Sequence, residues 1–430
     1  MDTQSAQALI RFGLGRFGDQ PVPLDPLGWL DAQLDGPDPA LNTPATSCTD
    51  AIRQLVEDRK NPPPEGKPHR ARLIWMTDST TALHALVESE APFRERLVWF
   101  WANHFTISLR RGDLHAVAIA YVREAIRPHV TGRFVEMLLA VVRHPAMLWY
   151  LDNQESIGPD SEVGQKTHRG LNENLARECL ELHTLGADAG YTQQDVTALA
   201  KLLTGWWFEP TAPLPVFNFA PHRHEPGSKT LLGLTFPPGE DGGIAALTWL
   251  GNHPVTFRHV ATKLVRHFVA DDPAPADVER IAGVLRDTRG DLAAAARALV
   301  RLPSAWQGLT KLRAPWDYAV AVVRALGLPP DNRPDLLNVM NQLGQPFMTA
   351  PLPNGWADTA SVWTDGELLL RRADWALAVA GRAAAADPVE TAQNSLGDLL
   401  RPDTLVAVQH ATSRREALAL LVASPEFQRR

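Results

Sequence analysis

Cysteine is nearly missing from this 430-residue chain, with Cys48 and Cys179 as the two representatives. Two thiols cannot build a disulfide framework or a Cys-rich zinc site, and Cys179 sits inside a helical pattern as a small hydrophobe. No apolar run approaches the roughly 18 residues that a membrane span needs. The opening "MDTQSAQALIRFGLGRFGDQ" has no basic stretch before an apolar core, so no signal peptide is read there. The expected location is the cytoplasm, or the periplasm or exterior if the N-terminus has been trimmed. An excess of basic charge is lacking too, and the net charge of −7 argues against a general nucleic-acid binder. A Walker loop, a dinucleotide glycine fingerprint and a Gly-x-Ser-x-Gly elbow are all missing, which removes nucleotide cofactors and serine-hydrolase chemistry. No fixed-period repeat points to a solenoid.

What is present is helical. Hydrophobic residues make up 45% and charged residues 21%, ordinary values for a globular chain with length enough for a full core. Apolar spacing predicts a long helical stretch from Leu83 to Ser108 with Pro92 opening its second part, and further helices from about Ala245 to the C-terminus. Residues 153–170, rich in turn formers, read as a loop or lid. Residues 207–244 read as an irregular Pro/Gly-rich insertion with room for one small β-hairpin. The expectation is a mainly α fold: one large multi-helical domain over 1–430, interrupted by that insertion. The 13 tryptophans suit core packing and also stacking on flat rings.

The densest polar stretch is "LNENLARECLELHTLGADAGYTQQDVTALAKLLTGWW", residues 171–207. Steps of four place Glu173, Arg177 and Glu181 on one helical stripe, the arrangement of an ordinary solvated face. Asn172 and His183 project instead toward the apolar side. A buried Asn or His without partners costs about 1–3 kcal/mol, so partners or a cavity are expected there. Thr192 and Asp195 form a capping signal for the next helix, and Trp206 and Trp207 follow at its exit.

Several strings in this order resemble the bacterial family designated domain of unknown function 1800. They are "NENLARECLELHTLG", "YTQQDVTALAKLLTGW", "WANHF", "HPAMLWYLDN", "HEPGSKTLLG", "HPVTFRHVATKLVRHFV", "LGQPFMTAPLPNGW" and "SPEFQ". The resemblance spans nearly the whole chain. It implies the fold but brings no established catalytic residues, and its members often carry export signals. Glu225 stands where an Asp is more typical.

Paired carboxylates are the groups that cleave glycosidic bonds, and Glu173 and Glu178 are the pair to test, with Arg177 orienting one of them and His104 completing the catalytic set. They lie about 140° apart on a helical wheel, so a second carboxylate from Glu225 or Asp152 is equally compatible. Side chains that both donate and accept suit a hydroxyl-rich ligand, which makes Asn103, Asn153, Asn172, His183 and His224 binding candidates, with Trp206 and Trp207 as stacking faces. Lys229, Lys263 and His267 complete the binding set. On "FRHVATKLVRHF" the favoured reading is a solvated basic face, and the alternative an anion site.

The leading expectation is therefore a hydrolase acting on a glycan by carboxylate acid/base chemistry, without a resident cofactor. One alternative is a non-catalytic helical scaffold or accessory protein in surface or secretion biology. The other is a metal-dependent hydrolase in which His222, His224 and His104 hold a divalent ion. The oligomeric state is left open.

Overall fold

Proline starts the helices that build the centre of the molecule. Pro92, Pro254 and Pro315 stand in the first turns of helices Pro92–His104, Pro254–Phe268 and Pro315–Ala325, where a missing N–H costs nothing. The computed structural model describes residues 1–110, 112–383 and 385–430, and at 113 the backbone alone. Among them the fold is mainly α, with 21 α-helical segments and two small sheets. No helix among the described residues is long and apolar enough to cross a membrane.

The buried apolar side chains gather in two clusters. The first takes in Phe93, Leu97 and Trp101 of Pro92–His104 and Phe257, Leu264 and Phe268 of Pro254–Phe268, with the Phe93 and Phe268 rings edge to face at 5.8 Å. The second joins Pro315–Ala325 to helices Gly366–Ala380 and Arg414–Ala423, with Val320, Trp375 and Leu418 inside. Burying one such side chain is worth roughly 2 kcal/mol. Half-buried Trp99 packs against both clusters and so marks the seam between them.

The central insertion holds two hairpins rather than one. Trp206–Trp207 pairs with Asn218–Phe219, and Lys229–Leu231 pairs with Leu234–Phe236, both antiparallel. Leu232 and Gly233 both have positive φ, as a tight two-residue hairpin turn requires, and the Leu232 N–H is held by Asp195. The insertion also ends earlier than its composition suggests, because helix Glu240–Gly251 begins within it. Gly243 lets that helix lie against Trp206, whose ring would be 2.8 Å from an added Cβ. Residues 153–170 are likewise more ordered than turn formers imply. Ser161 caps a short helix, Glu162–Thr167, and Gly158 lies so close to Glu225 that a Cβ would meet its backbone nitrogen at 2.5 Å.

Candidate active site

The polar helix of the 171–207 stretch starts at Asn174, so Asn172 precedes it. There the Asn172 Oδ1 accepts the Asn174 N–H at 2.9 Å and the amide donates to Asp152 O at 3.4 Å. Glu173 accepts from Thr197 Oγ1 and Gln193 Nε2, both at 2.7 Å, and from Arg177 at 3.3 Å. Those bonds, with that of Thr197 foremost, hold its carboxyl below the usual range. Glu173 and Arg177 thus join this helix to Gln193–Leu203. Glu178 differs: burial and then Glu181 push its carboxyl up to about 7.

After Glu178 the helix widens into a π turn, Cys179–His183. Such turns free carbonyls, and here two imidazoles take them. His259 Nε2 meets Leu182 O and His104 Nε2 meets His183 O, each at 3.2 Å. Both histidines therefore carry the proton on Nε2 and leave Nδ1 as a lone pair. For buried His104, Nδ1 finds no partner among the described residues, and the same holds for Nδ1 of His183. Burial and the nearby Lys263 cation lower the pKa of all three, to about 3 at His183 and about 4 at His259. Lys263 is itself brought down to about 8 by burial. The face of Pro254–Phe268 expected to be solvated is covered: His259 and Lys263 are partly buried and His267 is buried. Its apolar residues alone could not reveal that a second layer packs over its basic side.

Asn153, Trp206 and the candidates of the insertion are engaged within the fold, the polar ones mostly by the backbone. The Asn153 amide donates to Leu203 O and Trp206 O. His224 Nδ1 donates to Thr204 O and its Nε2 accepts the Gly239 N–H, both at 2.8 Å, which leaves no lone pair for an ion. Lys229 donates to the carbonyls of Glu225, Pro226 and Gly227. Glu225 pairs with Lys201 at 2.9 Å. Trp206 is fully buried beneath Arg143, and half-buried Trp207 lies against Arg223. His222 is exposed.

Elsewhere, Cys48, Glu124 and His144 bring three potential ligand atoms within 4.8 Å of one another. His144 Nδ1, however, accepts the Ala146 N–H that caps its helix, at 3.2 Å. The ring proton therefore sits on Nε2, facing Glu124 Oε2 at 3.4 Å. A metal-bound histidine normally donates its second nitrogen outward, so this one has the wrong proton arrangement for an ion.

The remaining candidates, Asn103 and His267, converge on a pocket at the seam of the two cores. Its cavity is about 80 Å³, and Trp99, Phe100, Trp316, Phe347 and Trp356 form much of its wall. Asn103 shapes the wall: its amide donates to Trp356 O at 2.9 Å and its Oδ1 accepts the Trp356 N–H at 2.8 Å. Gly355 makes this approach feasible, with φ +79 and a Cβ position only 2.4 Å from Asn103 O. His267 lines the same pocket, and its Nδ1 bonds Asp358 Oδ2 at 2.5 Å. Its buried Nε2 has no partner among the described residues. Burial, with Arg430 and Arg96 nearby, holds the imidazole pKa at about 4 despite the pull of Asp358. The ring is therefore neutral near pH 7, with the proton on Nδ1 and a free lone pair on Nε2. Asp358 stays ionised: against its own burial, the N–H donated by His267 and the Lys311 and Arg430 cations hold it far below the usual carboxylate range.

Behind the dyad, Arg96 and Arg313 bind Asp317 at 2.8–3.1 Å, and Arg430 Nε lies 3.0 Å from it. Asp358, Arg430, Gln345 and three of the wall tryptophans were not singled out by sequence reasoning. Gln345, Phe347 and Trp356 do lie in the quoted "LGQPFMTAPLPNGW" string. Asp358 and Arg430 lie outside every polar cluster, and their proximity is purely tertiary.

Fold and pocket together define a helical protein with an Asp–His dyad in an aromatic cleft. The family model described as "Protein of unknown function (DUF1800)" matches residues 7–429, and the chain belongs to that family. No curated protein and no solved structure matches it significantly.

Proposed function

We propose that this protein is a hydrolase of a hydroxyl-rich ring substrate, of the glycan class, in which His267 is the general base. The observation that carries the reading is the partnerless Nε2 of His267, a neutral ring held in one tautomer by Asp358 and bordering an aromatic pocket. A base of this kind takes a proton from a water attacking the carbon and returns it to the departing oxygen as the carbon–oxygen bond breaks, while Asp358 orients the ring and stabilises the imidazolium between the two transfers. The tryptophan walls offer flat faces to a ring.

This reading moves the chemistry away from paired carboxylates. Glycosidic cleavage by that route needs two carboxyl groups flanking the bond, and Asp358 is the one carboxylate among the residues lining the pocket. None of Glu173, Arg177 and Glu178 lines it.

The test is a panel of chromogenic glycosides and sugar esters turned over by wild type, His267→Gln and Asp358→Asn. On the responding substrate, His267→Gln is expected to lower kcat by about 10²- to 10⁴-fold with folding retained. Undiminished turnover in His267→Gln, or turnover of no member of the panel, overturns the reading.

A further inference from the structure

Two ties join the segment of His267 to the segment of Asp358. The first is the dyad bond itself, His267 Nδ1 to Asp358 Oδ2 at 2.5 Å. The second comes from Asp271, in the loop that leaves helix Pro254–Phe268, four residues beyond His267. Asp271 Oδ2 accepts the Ala360 N–H at 2.6 Å. Its other oxygen accepts from Lys311 Nζ at 2.5 Å, and the same ammonium donates to Asp358 O at 2.7 Å. One carboxylate thus grips the backbone around Asp358 twice, directly at Ala360 and through Lys311 at Asp358 itself.

Residues 356–359 form no helix or strand, so no backbone ladder fixes where Asp358 stands. Side chains do so instead. Asn103 holds Trp356, Trp363 Nε1 donates to Ala357 O at 3.1 Å, and Lys311 and Asp271 take the next two positions. Of these four, Asp271 alone comes from the segment that carries His267, and its own carbonyl is held by Arg266 Nε at 3.2 Å. Lys311 is 2% exposed, and Asp271 is its one ion-pair partner among the described residues.

The Lys263, Lys311 and Arg430 cations all act on Asp358. Their charge favours an ionised carboxylate at any angle, whereas the ring nitrogen that His267 presents depends on where that carboxylate stands. A hydrogen bond of this length is lost by about 3.5 Å, and a misplacement of about 1 Å costs up to about 100-fold in rate.

We infer that Asp271 is a positioning residue of the dyad: it sets where Asp358 stands and so keeps the His267 proton on Nδ1 and the Nε2 lone pair free. This rests on the reading of His267 as the base, and it names what holds that base in its working form.

The test uses the full chain at pH 7 with its histidines labelled with nitrogen-15, because proton–nitrogen correlation spectra separate a protonated ring nitrogen from a bare one. The His267 signals are assigned by their loss in His267→Gln. The wild type is expected to show the Nδ1–H form alone. Asp271→Ala is expected to lose that single form to a mixture with Nε2–H. On a responding substrate its kcat should fall about 10- to 100-fold, with KM nearly unchanged. Asp271→Asn keeps an acceptor for Ala360 but not the ion pair with Lys311, and gives a smaller shift in the same direction. Asp272→Ala, next in the chain but lining a different cavity, leaves the tautomer as it is.

A wild-type tautomer in Asp271→Ala overturns the inference, whatever happens to stability. If that variant does not fold, a wild-type tautomer in Asp271→Asn overturns it instead. An equal change in Asp272→Ala does so as well, since any loosening of the loop would then suffice. If Asp271→Ala shifts the tautomer while His267→Gln retains turnover, only the hydrolase reading fails. If His267→Gln is inactive and Asp271→Ala keeps the Nδ1–H form, only the positioning role fails.

Discussion

The stripe around Glu173 and the pocket around His267 have similar residue types and opposite hydrogen-bond states. At Glu173 the carboxylate takes three donors from its own hairpin and remains partly exposed. At the pocket, His267 Nε2 and Arg430 Nη1 are buried and unmatched. A saturated surface network is a fastening between helices. Unmatched groups in a pocket keep hydrogen-bonding capacity that the surrounding helices do not use.

The largest expected break in this comparison is Asp317→Ala. Removing the one carboxylate shared by three buried arginines is expected to cost about 3–5 kcal/mol, enough to unfold much of the protein. Urea denaturation followed by circular dichroism reads it directly, and a change under 1 kcal/mol contradicts the charge arrangement described here.

Acid separates the two regions by pH window. His183 and His267 have folded pKa values of about 3 and about 4, below the ordinary 6.5. Between those values the unfolded chain binds more protons, so stability falls as pH drops from about 6.5 toward 4. By pH 5 the loss is on the order of 2 kcal/mol per histidine. Glu173 is depressed from 4.5, so its contribution is present above that value and is lost only as pH falls further. A urea midpoint that is level between pH 7 and 5 contradicts the buried neutral histidines, and His267→Gln should make the fall shallower.

The smallest effect is expected from Glu173→Gln. A half-exposed ion pair with Arg177 is worth less than about 1 kcal/mol, and turnover should be unchanged because the side chain lies outside the pocket. Loss of turnover with stability retained would return the chemistry to the hairpin.

The mainly α class was legible because apolar spacing and proline positions are local. So was the burial of His183 and His104, which sit on apolar stripes. The covered face of Pro254–Phe268 was not legible, since nothing within that helix shows that the π turn and the segment carrying Asp358 lie over it. The hairpin of Lys229–Leu231 and Leu234–Phe236 lies within the segment expected to hold one, while the pairing of Trp206–Trp207 with Asn218–Phe219 was hidden by the long loop between its strands. The dyad could not be read at all: His267 and Asp358 lie on separate segments that only packing brings together. Asn103, expected to contact a substrate, makes a reciprocal bond with the backbone of Trp356 that no sequence pattern marks.

The strand-like contact at the far end of the chain has a consequence for biosynthesis. The Arg430 N–H donates to Lys311 O at 2.8 Å, and the Lys311 N–H donates to Arg430 O at 3.2 Å. This clasp carries the guanidinium into the cluster around Asp317. While the chain is being translated, Asp317 and its two other arginines emerge well before their third partner. The order of synthesis is thus the reverse of the order of packing: Asp317 holds two of its arginines early and stays one short until residue 430 docks on Lys311.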